Sequence, residues 1–382
     1  MGFDFLQPVS GEVMEYVNAL STQHLGSKVV FHTETDFPDT DRIEIAIIGV
    51  LENRNGIGEE EVELTPIRRA LYGMFPGNWH GTIADLGDIA AGESPEDTGF
   101  AVTEVVVALL RKKVIPIVLG GTQAVTHAMY RAYDKMEQMV NLVAVDSRFD
   151  FGKDREPITA GSYLTRIVLD EPNNLFNYTN IGYQTYFNSQ EEIDLIEKLF
   201  FDAYRLGEIS GNVSLAEPVF RDADLVSVDM TSVKSSDSGN FAYFSPNGFD
   251  GREICALARY AGISDKVSAI GFFNQNGSRR EGTLIAQAVW YFIEGWNYRS
   301  NEYPFGSREH YIKYLVTMED EDLVFYKSNK TDRWWIEIPF ETSGNNKLKK
   351  NSLLPCSYEE YLQACNQEIP ERWWKAQRKN SM

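Results

Sequence analysis

Three clusters of polar residues stand where apolar runs end, and each holds side chains capable of acid–base or metal chemistry. The first is Gly120-Gly121-Thr122-Gln123-Ala124, directly after VIPIVL. Paired glycines let a backbone turn sharply as it leaves a sheet. The second, Asp146-Ser147-Arg148-Phe149-Asp150, follows NLVAV, and the third, Asp229-Met230-Thr231-Ser232-Val233-Lys234, follows DLVSV. Residues two apart on extended backbone point the same way, so Asp146, Arg148 and Asp150 are expected on one face and Asp229 and Thr231 on another. Clustered carboxylates either answer to a cation or raise one another's pKa. His127 follows Gln123 by one helical turn and is weighed as a substitute ligand; a histidine on a mixed helix face more often serves as hydrogen-bonded filling.

Such clusters need elements that bring them together. Short apolar runs alternate with longer amphipathic segments, the pattern of strands joined by helical crossovers. The strand candidates are IEIAIIGV from Ile43, TIADLG from Thr82, VIPIVLGG from Val114, NLVAVD from Asn141, NYTNIGY from Asn177, DLVSVD from Asp224 and KVSAIGFF from Lys266. Several are apolar on both faces, which requires helices on both sides of a mostly parallel sheet. Helical patterns begin at Thr65, Thr98, Ala124 and Arg252, with Thr98 a candidate N-cap and Gly262 a candidate left-handed stop. In such a sheet ligands bind beyond the carboxyl ends of the strands, where the three clusters fall.

The character changes after the helix ending near Trp296. YIKYLVTM, LVFYKS and RWWIEIP alternate apolar and polar residues and are separated by the turn-like runs MEDED and KSNKTD. A division follows: residues 1–300 as an α/β body and 301–382 as a small β-rich extension. Trp334-Trp335 and Trp373-Trp374, each preceded by arginine, are expected to be at least half buried, although such residues are also enriched where partners bind.

With 43% hydrophobic and 24% charged residues the chain can bury a sizeable core. A net charge of -20 argues against nucleic acid and anionic membranes, which need clustered Lys and Arg. Cys255, Cys356 and Cys365 are odd in number and outside metal-ligand spacing, as expected of packing residues in a reducing cytoplasm. No apolar stretch approaches the ~20 residues needed to cross a bilayer, and the opening MGFDFLQPVSGEV lacks the pattern of a signal peptide.

The order of the clusters, with TPIRRALYGMFPG from Thr65 and IADLGDI from Ile83, resembles the arginase, agmatinase and formimidoylglutamase family over residues 40 to 300. That resemblance implies a three-layer α/β/α fold and oligomers. In the family, Gly-Gly-Asp-His, Asp-Ala-His-x-Asp and Ser-x-Asp-x-Asp-x-x-Asp-Pro hold two manganese ions, whose bridging hydroxide attacks a guanidinium or amidine carbon. Carried over position by position, Gln123 replaces one histidine, Arg148 the other, Thr231 an aspartate, and Lys234 the aspartate of Asp-Pro; Asp146, Asp150 and Asp229 remain. An amide is a weak donor, and a guanidinium cannot coordinate a cation. Phe272 stands where family members carry a substrate-contacting glutamate, with Asn274 beside it; Thr122, His127 and Lys234 complete the expected pocket.

The resulting expectation is a catalytically inactive scaffold without a cofactor. A salt-bridge cluster of Asp146, Asp150 and Asp229 with Arg148 and Lys234 would replace the metals, and protein partners would dock through the extension. Two alternatives accompany it. One is a divergent amidinohydrolase holding manganese weakly or as a single ion; the other is a sensor of carboxylate or phosphate metabolites through Arg148 and Lys234.

Overall fold

Successive apolar residues on each central strand divide between two cores, so the sheet must be covered twice. Ile45 and Ile47 enter one core with Ile67, Leu71, Leu257 and Leu284, while Ala46 and Ile48 enter the other with Val102, Val105, Met129 and Leu164. The computed structural model describes residues 2–54, 62–152, 157–241, 243–302, 304, 309–319, 321–339 and 353–381, so Asp320 of the expected turn MEDED lies outside them.

The strands in chain order are β1 (Leu6–Gln7), β2 (Val30–Phe31), β3 (Ile45–Val50), β4 (Ile83–Ile89), β5 (Ile115–Leu119), β6 (Val140–Val145), β7 (Leu175–Tyr183), β8 (Asp202–Arg205), β9 (Leu225–Asp229) and β10 (Ala269–Phe273). They form one ten-stranded sheet in the order β1-β4-β3-β5-β10-β9-β6-β7-β8, with β2 also paired to β4. Apart from the antiparallel β1–β4 pair the strands are parallel. Helices Thr65–Tyr72, Gly251–Ile263 and Arg279–Asn297 cover one face, and Pro95–Arg111, Val125–Arg131 and Tyr163–Leu169 the other. The expected arginase-like α/β architecture is the one found.

Two helix ends differ from expectation. The helix expected from Thr98 begins at Pro95, because Ser94 and Asp97 make a reciprocal capping box one turn earlier. Thr98 instead donates its hydroxyl to the buried Glu52 carboxylate at 2.7 Å. Gly262 is helical and serves close packing: a methyl there would lie 2.1 Å from the Phe292 carbonyl oxygen of the adjoining helix.

A second, antiparallel sheet follows, with β11 (Tyr311–Val316), β12 (Leu323–Ser328), β13 (Trp334–Glu337) and β14 (Leu353–Cys356) in that order. Helices Tyr358–Cys365 and Glu371–Ser381 complete it. This sheet packs against the body through Arg221. Its guanidinium donates to the Trp334 carbonyl at 2.9 Å and the Cys356 carbonyl at 3.0 Å, and stacks 4.5 Å over the Trp335 ring. Arg221 belongs to the helix Glu217–Asp222, just before β9, so the second sheet meets the body at the amino ends of the strands. Trp334, Trp335 and Trp373 are buried. Among the described residues no helix is long and apolar enough to cross a membrane.

Candidate functional site

Four adjacent strands, β5, β10, β9 and β6, end together, and their last residues set the site. After β5 the chain turns through Gly120 and Gly121 at φ +85° and +76°, a left-handed pair that a side chain disfavours. The turn lets Gly121 accept a hydrogen bond from the Asn274 amide, at 3.0 Å, just past β10. Asn274 Oδ1 in turn accepts from the Gln123 backbone amide at 3.0 Å. One asparagine therefore ties the ends of β5 and β10.

Asp146, Asp150 and Asp229 come together as expected, all buried. Asp146 Oδ1 accepts from the Arg148 amide at 2.8 Å, and Asp229 Oδ1 from the Thr231 amide at 2.7 Å. Oδ2 of Asp146 and Oδ2 of Asp150 are buried without a hydrogen-bond donor, as is Oε1 of Gln123. Burial pushes the Asp150 carboxyl well above the usual carboxylate range, and the Asp146 carboxylate beside it adds to the shift. Burial and then Asp146 do the same to Asp229, while burial raises Asp146 itself. The buried carboxyls thus disfavour one another's ionisation.

The expected cationic partners are elsewhere. Arg148 is exposed, donates to the Phe187 carbonyl at 3.1 Å and stacks 4.4 Å over the Phe187 ring. The period of two fails here because β6 ends at Val145 and the chain bends at Ser147 and Arg148, where the Arg148 amide turns back to Asp146. Lys234 lies 4.0 Å from Asp237 and lines a separate surface groove with Asp250, Arg252 and Trp290. The salt-bridge cluster drawn from the sequence is therefore absent among the described residues.

The other expected pocket residues scatter. His127 Nε2 lies 2.9 Å from Asp170, with burial lowering the imidazole pKa, and it lines a cleft of ≈ 290 Å³ with Thr122, Glu52 and Arg131 instead of facing the aspartates. Phe272 is fully buried in the core beneath the site. Sequence reasoning missed Tyr163 and Tyr178, whose hydroxyls wall the carboxylates; Tyr163 accepts from Gln123 Nε2 at 3.3 Å, and burial drives both phenols well up. No local pattern marks either tyrosine, since each lies in an ordinary helix or strand. Among the described residues no three His, Cys, Asp or Glu side chains stand as a group able to hold a metal ion.

Comparison with known proteins bears on this geometry. A formiminoglutamase of Trypanosoma cruzi, solved with manganese, superposes with a TM-score of 0.61 at 18% identity, covering 72% of this chain and 99% of its own. The formimidoylglutamase of Bacillus subtilis gives 0.61 at 18%, covering 71% and 91%. The agmatine ureohydrolase of Thermoplasma volcanium gives 0.58 at 20%, covering 75% and 98%. At such identities the likeness is one of fold. A comparison with curated protein sequences gives no match. The model of the arginase family matches residues 43–270, which span the three clusters and most of the body, and the chain belongs to that family.

Proposed function

We propose that this chain is a non-catalytic arginase-fold scaffold, in which a buried carboxylate pocket without imidazole donors stands where relatives carry out chemistry. The observation that carries the reading is the outward turn of Arg148, which leaves no imidazole and no cation among Asp146, Asp150 and Asp229. The donor set there is three carboxylates and one amide, and it does not fit a pair of manganese ions: imidazole donors are missing, and Asp146 and Asp150 already contact each other. His127 offers no replacement, because its Nε2 is engaged by Asp170.

The scaffold acts by binding protein partners, and three free cysteines accord with a cytoplasmic setting. Its two parts are a body of residues 1–300 and an extension of 301–382. Purified protein supplied with manganese is expected to leave arginine, agmatine and formiminoglutamate intact. Turnover of any of them that disappears in Asp229→Asn would refute the reading and favour a divergent amidinohydrolase.

A further inference from the structure

Two loops at the carboxyl ends of the strands carry rings that the fold leaves in solvent. Tyr186, Phe241 and Phe244 are 65%, 66% and 67% exposed, and Phe187 lies beside Tyr186 in edge contact. The loops are tied together, which sets Tyr186 beside the loop that carries Phe241 and Phe244. Gln184 donates to the Asn247 carbonyl at 3.2 Å, and Asn247 Nδ2 donates to the Tyr186 hydroxyl at 2.9 Å. Large exposed apolar groups are ordinary when scattered and informative when gathered.

Two arginines frame this surface. Arg148 is spread over Phe187, and the side chain of Arg280 packs against Gly239 at the base of the second loop. Both are exposed, and neither forms an ion pair among the described residues. Arg280 also attracts the Asp237 carboxylate, yet on a chain of net charge -20 two exposed guanidiniums beside these loops mark a place where the surface runs against the overall charge. Tyrosine, phenylalanine and arginine are the side chains that anchor protein interfaces, while carboxylates complete arginine's fork. The same net charge opposes nucleic acid and anionic membranes.

We propose that the surface formed by Arg148, Tyr186, Phe187, Phe241, Phe244 and Arg280 is a docking site for an acidic protein segment, whose carboxylates pair with the arginines and whose apolar side chains cover the rings. This deepens the scaffold reading and rests on it, naming the partner's chemistry and moving the docking face from the extension to the rim outside the carboxylate pocket. A position at which relatives bind metal is here turned to recognition.

The test is selection of short random peptides displayed on phage against the full chain, with binding of the recovered peptides measured by anisotropy. Recovered peptides are expected to be rich in Asp and Glu with interspersed apolar residues. Their affinity is expected to fall about tenfold or more in Arg148→Glu, and likewise in the double variant Phe241→Ser/Phe244→Ser. Both variants alter exposed side chains, and unchanged thermal melting would establish that they remain folded. Recovery of no peptides, recovery of neutral or basic ones, or affinity indifferent to both variants would overturn the proposal. So would sedimentation in which the chain self-associates through these rings, since the occupant would then be a second copy. Hydrolysis of an amidine would refute the scaffold reading by a separate assay, leaving the peptide result to be judged by itself.

Discussion

Asp150→Asn separates a proton-filled pocket from a cation-filled one. Asp150 sits at φ +58°, a left-handed conformation that asparagine tolerates as well as aspartate does. The amide also copies the shape of a protonated carboxyl and can donate to Asp146 as that acid would, so backbone and contacts are kept. Only the charge is removed. The unfolded chain ionises Asp150 in the usual carboxylate range, near pH 3.9, whereas burial and Asp146 hold the folded carboxyl well above it.

A carboxyl raised in the fold contributes stability that is intact below the unfolded pKa and is lost as pH climbs toward the folded one. The stability of Asp150→Asn minus that of the wild type should therefore start near zero in acid. It should grow by about 1.4 kcal/mol per pH unit while the folded acid keeps its proton, and then level off. Urea denaturation followed by circular dichroism at a series of pH values in metal-free buffer measures this difference, in which titrating groups remote from Asp150 cancel. A difference that is flat with pH would refute the reasoning. A variant less stable than a wild type that manganese itself stabilises would refute it more directly, because the carboxylates would then be holding ions.

Two further outcomes follow from packing. Arg221→Ala removes the guanidinium donors from the carbonyls of Trp334 and Cys356 and leaves Glu217 with Arg333 as its close cation, and should cost about 1–3 kcal/mol for each carbonyl left unsatisfied. Limited proteolysis should then cut the second sheet while the body persists, and equal protease resistance would count against this account of docking. Gly262→Ala places a methyl against the Phe292 carbonyl and should cost about 1–3 kcal/mol in urea unfolding; an unchanged midpoint would mean that the two helices separate without penalty.

The body was legible because its strands are apolar where they must be. IPIVL, VNLVAV and AIGFF are buried along their whole length, and no alternative element satisfies such runs. β8, only DAYR, offers too short a pattern to recognise. β14, LLPC, contains a proline that argues against a strand, yet it lies at the edge of its sheet, where Pro355 is tolerated. ERWWKAQRKNS was legible as aromatic and basic, but its helix emerges only once Lys375 finds Asp202 and the Phe201 carbonyl.

For the site, sequence order located the aspartates, because it follows the strand ends. Direction was not legible beyond those ends. Arg148 points outward since the chain bends at Ser147 and Arg148, and Lys234 turns to Asp237 at the start of a short helix. The resemblance to the family puts Phe272 in the pocket, whereas its place on β10 sends it into the core.

Arg221 also dictates an order of assembly during synthesis. The two carbonyls that satisfy it lie 113 and 135 residues further along the chain. On a ribosome, the helix carrying Arg221 and β9 after it are made long before Trp334 and Cys356 emerge. For that interval the guanidinium must remain solvated and the surface beneath Trp335 bare. Domains generally fold as units from the amino terminus during translation. The body is thus set to form first with an unfinished flank, and the second sheet arrives late as an internal clamp. A ribosome that stalls before β13 would hold a body with an arginine-lined scar, the surface on which a chaperone or a neighbouring nascent chain would act.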